Sequence, residues 1–442
     1  MALVSLALRR EPSAVLSALA SEPGAVLLEV PDPFRPVTLV ACRPVDELRI
    51  ADGDGDVPAR VAEFVAAMGP LDAALPFPLA GGVIGYLAYE AGRAVAPRAK
   101  RHGCPVPLAV LRRYDPLLVF DHGTRQWSLV SGTPARARAG WLERLNAEPE
   151  RWLGPLAAEP LRATWSVERY RAALLRIAEY LAAGDAYQVN LTQPFTTTLA
   201  APPAVLFERL AHRHAVPYGA YLDCGAFQML ANSPELLLRR RGRRLETRPI
   251  KGTRPRGDDA ASDVAYAQAL QTSVKDRAEH VMIVDLERND LGRVCDPGSV
   301  VVERLLELES HPSVHHLVST ISGRLSAGVD LATILRAVFP GGSITGAPKV
   351  RAMEIIAELE DAPRGIYTGA FGLFDARGDL ELGLPIRTAI VRDGVVTYQA
   401  GGGIVADSDP DMELAECWLK TAALRRALDP AGVIPKAQCS SG

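Results

Sequence analysis

The chain has no apolar run of the roughly 18 residues that a membrane-spanning helix requires, so no part of it is expected to cross a bilayer. No CxxC pair joins any of its six cysteines, Cys42, Cys104, Cys224, Cys295, Cys417 and Cys439. Scattered single cysteines in a long chain read as reduced thiols and exclude a disulfide framework or a zinc site at those spacings. Neither sign of charge dominates: 49 Lys and Arg stand against 52 Asp and Glu, for a net charge of −3. That balance offers no electrostatic grip to nucleic acid or an anionic membrane. The opening segment MALVSLALRREPSAVLSALA carries its arginines after the apolar stretch, the reverse of a secretory signal. A cytoplasmic protein is the expectation. No repeat of fixed period is visible, and no GxGxxG follows an early strand, so a dinucleotide-binding fold is not expected. In GGSITGAPK, Lys349 comes three residues after Gly346. A phosphate-binding P-loop needs its lysine directly after the second glycine.

What is present is a chain of 442 residues, 48% hydrophobic and 23% charged, enough for one large domain or two closely packed ones. The first ~130 residues hold short apolar runs (VLLEV, VTLVAC, GGVIGYLAYE, LAVL, PLLVF) between Pro, Gly and Asp clusters, which predicts strands. The Ala-, Arg-, Pro- and Glu-rich stretch 134–160 reads as a helix and a connection. It divides an N-terminal region, 1–135, from a C-terminal domain, 165–428. In the latter, helices are predicted at Tyr170–Ala183, Pro203–His214, Ala260–Leu291, Leu331–Val338, Lys349–Leu359 and Pro410–Leu428. Strands are predicted at QVNLTQPF, AYLDC, FQMLAN, LLLRR, RLETR, SVVVERLLELE, YTGAFGLF, LELGLPIRTAIV and VVTYQAGGGIV. Hairpin-length spacings dominate, so the fold class is α/β or α+β with large, mainly antiparallel sheets. The tail after Leu428 reads as loose.

Several residues invite chemistry. In the last helix Glu413, Glu416 and Lys420 fall on one face. Spacing alone leaves two readings: a solvated stripe, or carboxylates and an ammonium around a hard cation and an anionic ligand. Gly401, Gly402 and Gly403 just upstream let backbone approach a ligand closely, and a helix N-terminus favours anions. Glu279 sits at the margin of an apolar stripe made of Val274, Ala278, Met282 and Leu286, either as a surface acid or as an oxygen ligand for Mg²⁺. Lys251, in PIKGTRPRG, is flanked by Arg254 and Arg256 and reads either as part of a solvated basic loop or as a tuned amine. Neighbouring cations and burial lower a lysine pKa and free its amine as a nucleophile. Glu235, one hairpin earlier, is placed to act as an acid. The basic run Arg239–Arg244 lacks aromatics and reads as a solvated hairpin tip, and His315-His316 as core or stacking surface.

Taken together, GDAYQVNLTQPF, SPELLL, PIKGTRPRG, AEHVMIVDLERNDLGRVC, VHHLVSTISGRL, FPGGSITGAPKVRAME, IYTGAFG, IRTAIV and GGGIVADSDPDMELAE resemble the chorismate-utilising family. That family includes the anthranilate, aminodeoxychorismate, isochorismate and salicylate synthases. The resemblance runs from about Tyr170 to Ala427 and is looser in the N-terminal third. It implies two large facing antiparallel sheets flanked by helices, with chorismate and Mg²⁺ in the cleft. It implies Glu279 and Glu416 as metal ligands with Glu413 beside them. Arg387, Tyr367 and the backbone of Gly401, Gly402 and Gly403 would grip the substrate carboxylates, with Lys420 behind. Gly252 and Thr253 would line the ring, and His316 would pack against it.

The family's water-adding members carry a lysine where this chain has Gln188, and its anthranilate synthases carry alanine where this chain has Lys251. The aminodeoxychorismate synthases share that lysine. The resemblance therefore implies covalent attack by Lys251 at C2, loss of the C4 hydroxyl with a proton from Glu235, and amination at C4, toward 4-aminobenzoate and folate. Anthranilate formation is the runner-up, and a non-catalytic ligand-binding subunit is the reading from a different class. No cysteine lies in a glutaminase-like nucleophile elbow, so a separate glutamine amidotransferase subunit is expected to supply ammonia. Anthranilate synthases bind tryptophan through an LLES string. Here Leu27-Leu28-Glu29-Val30 lacks the hydroxyl while Pro217-Tyr218 is present, and feedback inhibition is not expected. AEH replaces the family's AEN.

Overall fold

The structure is a computed structural model and describes residues 2–68, 82–132, 144–145, 152, 156–157, 159–213, 216–311 and 314–428. Most of the connection at 134–160, the tail after Leu428 and Cys439 lie outside the described residues. The other five cysteines are free.

Successive strand residues point to opposite faces, and the sequence alternation uses both. In Val26–Val30, the side chains of Val26, Leu28 and Val30 enter one core and Leu27 enters another. The neighbouring strand Val37–Ala41 repeats this, with Val37, Leu39 and Ala41 on one side and Val40 on the other. Two sheets result, antiparallel throughout.

Among the described residues the first sheet has twelve strands. It runs from Ala2–Leu6 through Gln126–Ser131, Leu117–Asp121, Val37–Ala41 and Val26–Val30 to Tyr218–Asp223 and Gln228–Ser233. It continues with Thr388–Arg392, Val395–Ile404, Gln188–Thr198 and Gly346–Ala347, and Arg162–Ala163 pairs with Gln188–Thr198. The second has ten: Ile250–Pro255, Val314–Arg324, Arg244–Arg248, Leu236–Arg241, Leu380–Gly383, Ala370–Asp375, Gly82–Leu87, Ala109–Arg113 and Asp46–Ile50, with Val301–Ser310 beside Val314–Arg324. Val26, Leu28 and Met229 of the first sheet share a core with Tyr86, Leu238 and Phe371 of the second, so the sheets face each other. The outer face of the first sheet is covered by helices through Leu16, Tyr170, Phe207 and Ile355. No helix among the described residues is long and apolar enough to cross a membrane.

Four expectations need correction. LELGLPIRTAIV is not one strand but two, Leu380–Gly383 in the second sheet and Thr388–Arg392 in the first. Pro385 cannot donate to a ladder, and Arg387 turns at a φ of 49°. The helix expected over Ala260–Leu291 divides at Ser273, whose hydroxyl accepts the Asp276 amide (3.2 Å) to start a second helix, Val274–Gly292. The last helix likewise stops at Leu419, and a second begins at Ala422. Finally, the Val274–Gly292 helix does not bury the predicted stripe. Val274 is 83% exposed, and the inward face is His280, Ile283, Val284, Glu287, Asp290 and Leu291.

The basic hairpin also departs from a solvated tip. Arg239 is buried and binds Glu381 through Nε (2.8 Å) and Nη2 (2.7 Å), while Nη1 reaches Glu246 (2.9 Å). Arg241 adds a third bond to Glu381 (2.8 Å), and the Tyr218 hydroxyl of the facing sheet a fourth (3.2 Å). Removing one partner of such a network strands the others without compensation. Glu381→Ala is therefore expected to lower the unfolding free energy by about 3–5 kcal/mol, read from the urea midpoint. An unchanged midpoint would mean the arginines find water instead.

Candidate functional site

Of the three glycines in Val395–Ile404, Gly403 is the one that meets a side chain of the opposite sheet. This strand pairs with Gln188–Thr198, Gly403 opposite Asn190 and Gly401 opposite Thr192. Each glycine makes room for something different. A Cβ on Gly401 would lie 1.8 Å from the Leu191 carbonyl oxygen. On Gly402 it would lie 3.0 Å from Glu413 Oε2, and on Gly403 2.8 Å from Lys251 Nζ and 2.9 Å from Gln188 Nε2. Lys251 belongs to Ile250–Pro255, the edge strand of the opposite sheet. Gly252 has a φ of 75°, and the register slips between Lys251 and Thr253, so a bulge follows the lysine. A Cβ on Gly252 would also meet Leu270 at 2.8 Å. Only glycine suits this position.

The expected electrostatic setting of Lys251 is right in sign but wrong in its partners. Burial lowers its pKa first, and the cation that adds to this is Lys420, against the opposing pull of Glu279, Glu416 and Glu235. The flanking arginines are engaged elsewhere: Arg254 holds Asp276 (2.8 Å) and Arg256 holds Asp263 (2.7 Å). Glu235, 5% exposed, accepts the Ser343 hydroxyl at 2.6 Å. Burial raises its pKa to about 7, outweighing Ser343, Lys251 and Arg387, which favour the carboxylate. A buried amine inclined to be neutral and a buried acid inclined to hold its proton thus share one site. Ser343 escaped the sequence reading because GGSITG registered only as a failed phosphate loop.

Glu413 and Glu416 lie against Gly402, and Lys275 links Glu279 to Glu413. Glu413 is buried, accepts the Ser408 hydroxyl (2.7 Å) and lies 3.6 Å from Lys275, which also reaches Glu279 at 3.9 Å. Glu416 pairs with Lys420 at 2.8 Å, and that ammonium lowers its pKa. Lys420 also donates to the Gly401 carbonyl (2.6 Å). Burial raises the Glu279 pKa. Among the described residues no three His, Cys, Asp or Glu side chains meet at metal-binding distance. Mg²⁺ does not require such a cage, because it binds through one or two carboxylates plus substrate oxygens and water. Glu279, Glu413 and Glu416 fit that donor pattern.

The other predicted residues surround the same region. Tyr367 is buried beside Arg364, and burial raises its phenol pKa. The Arg387 guanidinium forms no ion pair among the described residues. It faces Glu235 and Tyr398, and burial lowers its pKa. Thr253 Oγ1 lies 2.9 Å from His316 Nδ1, while His316 Nε2 is buried without a partner and burial lowers that ring's pKa to about 3. Gln188 is fully buried with both amide atoms unpartnered. Such atoms are costly unless a ligand or water satisfies them. His280, at the AEH position, turns inward and bonds Ser319 (2.7 Å). Glu29 and Pro217 meet at a separate cavity of about 430 Å³ that His122 and Asn232 also line.

Residues 24–426 match the family described as chorismate binding enzyme. Anthranilate synthase component 1 of Streptomyces coelicolor is 42% identical over 374 residues, covering 79% of this chain and 73% of its own. Aminodeoxychorismate synthase component 1 of Bacillus subtilis is 40% identical over 362 residues, covering 79% and 77%. The solved anthranilate synthase component I of Streptococcus pneumoniae aligns with a TM-score of 0.78 and 28% identity, over 88% of this chain and 92% of that one.

A methyl at position 403 must displace Lys251 or Gln188. Gly403→Ala is expected to lose on the order of 10²-fold in turnover, the scale of a misplaced reacting group, with an unchanged circular dichroism spectrum. Wild-type turnover would show that the close approach is dispensable.

Proposed function

The chain belongs to the chorismate-binding enzyme family, and on that premise we propose that it is the synthase component of an aminodeoxychorismate synthase. It replaces the C4 hydroxyl of chorismate with an amino group and leaves the enolpyruvyl ether intact. The observation that carries this reading is the enclosure of the Lys251 amine against Gly403 and Gln188, with buried Glu235 in the same site.

Burial of Lys251 favours its neutral amine, the form that attacks. The amine adds at C2, the ring double bonds shift, and the C4–oxygen bond breaks. The proton of Glu235 goes to the departing hydroxide, which leaves as water. Ammonia then adds at C4, the double bonds return, and the C2–nitrogen bond breaks with its electron pair going back to Lys251. One proton from the new C4 ammonium restores Glu235. Dividing one difficult substitution into two is the benefit of covalent catalysis. Arg387, without an ion pair among the described residues, Tyr367 and the Gly401–Gly403 backbone orient the substrate carboxylates, and Gly252, Thr253 and His316 border the ring. Glu279 and Glu416, with Glu413 beside them, would hold Mg²⁺, which would supply Lewis-acid polarisation of a substrate carboxylate. The relatives named component 1 imply a second component, and a glutamine amidotransferase subunit supplying ammonia fills that role, with the product serving 4-aminobenzoate and folate synthesis in the cytoplasm.

Anthranilate synthase is the second reading, since a relative of that name is equally similar. Product mass spectrometry with chorismate, Mg²⁺ and ammonium decides between them. Aminodeoxychorismate without pyruvate is expected, and anthranilate with pyruvate would refute the proposal. Lys251→Ala should cut the ammonia-dependent rate by at least about 10²–10⁴-fold while chorismate still binds. Near wild-type turnover would make the lysine a bystander.

A further inference from the structure

The loop that carries Ser343 is held by a second buried acid. Glu287, on the inward face of Val274–Gly292, is 4% exposed, and its Oε1 accepts the Gly342 amide at 3.0 Å. The next residue, Ser343, donates to Glu235. Two buried carboxyl groups are therefore bound by consecutive residues of one loop. The approach is close: a Cβ on Gly342 would lie 2.7 Å from Leu286 Cδ2 and 3.1 Å from Glu287 Oε1. Beyond Ser343 the loop is pinned by Asn190 and Arg364, which donate to the Ile344 carbonyl at 3.0 and 2.9 Å.

Glu287 has no ion pair of its own among the described residues. The nearby ammonium of Lys349 bonds Asp290 instead, and Thr247 Oγ1 reaches Glu287 Oε2 only at 3.4 Å. An acid buried on one amide and one long hydroxyl bond is costly for anchoring alone. The charged groups that face it are Asp290, Lys349 and Glu235. Those that face Glu235 are Lys251 and Arg387. Burial raises both glutamates to about 7, and Glu235 is among the groups that push Glu287 upward.

We propose that Glu287 is a positioning residue for Glu235: through the Gly342 amide it fixes the loop that aims Ser343 at that acid. The proposal rests on the role given to Glu235 above.

The Ser343 hydroxyl stabilises the Glu235 carboxylate, so its loss raises the Glu235 pKa. A loop that Glu287 no longer holds weakens the same bond. Because Glu235 works as an acid, activity falls as pH rises through its pKa. The test is the pH profile of kcat/KM for chorismate consumption at constant free ammonia. The alkaline limb is expected to move up by about 0.5–1 unit in Ser343→Ala and in the same direction, with kcat lowered, in Glu287→Asp, which withdraws the carboxyl from Gly342. Glu287→Gln still offers Gly342 an oxygen and should keep the wild-type limb. If Glu287→Asp does not fold, Glu287→Leu, which fills the same volume without an acceptor, serves. Glu235→Gln separates the two layers of inference. A limb that survives it overturns both. A limb that vanishes there yet stays put, with wild-type kcat, in Glu287→Asp overturns only the role of Glu287.

Discussion

The site depends on one close approach, that of the Lys251 amine to the backbone of Gly403 on the opposite sheet. Two antiparallel sheets normally keep side chains between them. Here Gly403 leaves out a side chain where the edge strand Ile250–Pro255 delivers its lysine. The bulge at Gly252, the gap at Gly403 and the glutamates around Gly402 belong to that single arrangement. Where Leu380–Arg392 leaves the second sheet for the first, Arg387 turns toward Glu235 and Tyr398 of the same region.

Within this space identical side chains meet different surroundings. Lys420 pairs with Glu416 and donates to the Gly401 carbonyl. Lys251 has no ion pair among the described residues, and burial, with the charge of Lys420, lowers its pKa. The acids divide likewise. Glu416 is held ionised by Lys420, whereas Glu235 and Glu287 are shielded from solvent and hold protons up to about pH 7. Environments that push like groups apart in pKa suit them to different roles without any change of residue type.

Much of this was legible in the sequence, and the failures have physical causes. Strands declared themselves by alternation, and the glycine run was recognisable because few other contexts need three in succession. The helix Val274–Gly292 was misread because its inward face is polar: His280, Glu287 and Asp290 are buried while Val274 is exposed. Hydropathy cannot find a face built for chemistry. Arg239 looked solvated because its partner Glu381 lies 142 residues away in sequence. Arg254 and Arg256 were credited with tuning Lys251 because sequence proximity conceals where side chains point, whereas the effective cation, Lys420, comes from another element.

Covalent chemistry at Lys251 is directly observable. Enzyme mixed with chorismate and Mg²⁺ without ammonia, quenched in acid and digested, should yield a Lys251 peptide heavier by chorismate less one water. The same peptide should return to its original mass when ammonium is added before the quench. An unmodified Lys251 peptide from a preparation that aminates chorismate rapidly would contradict a covalent role for this lysine.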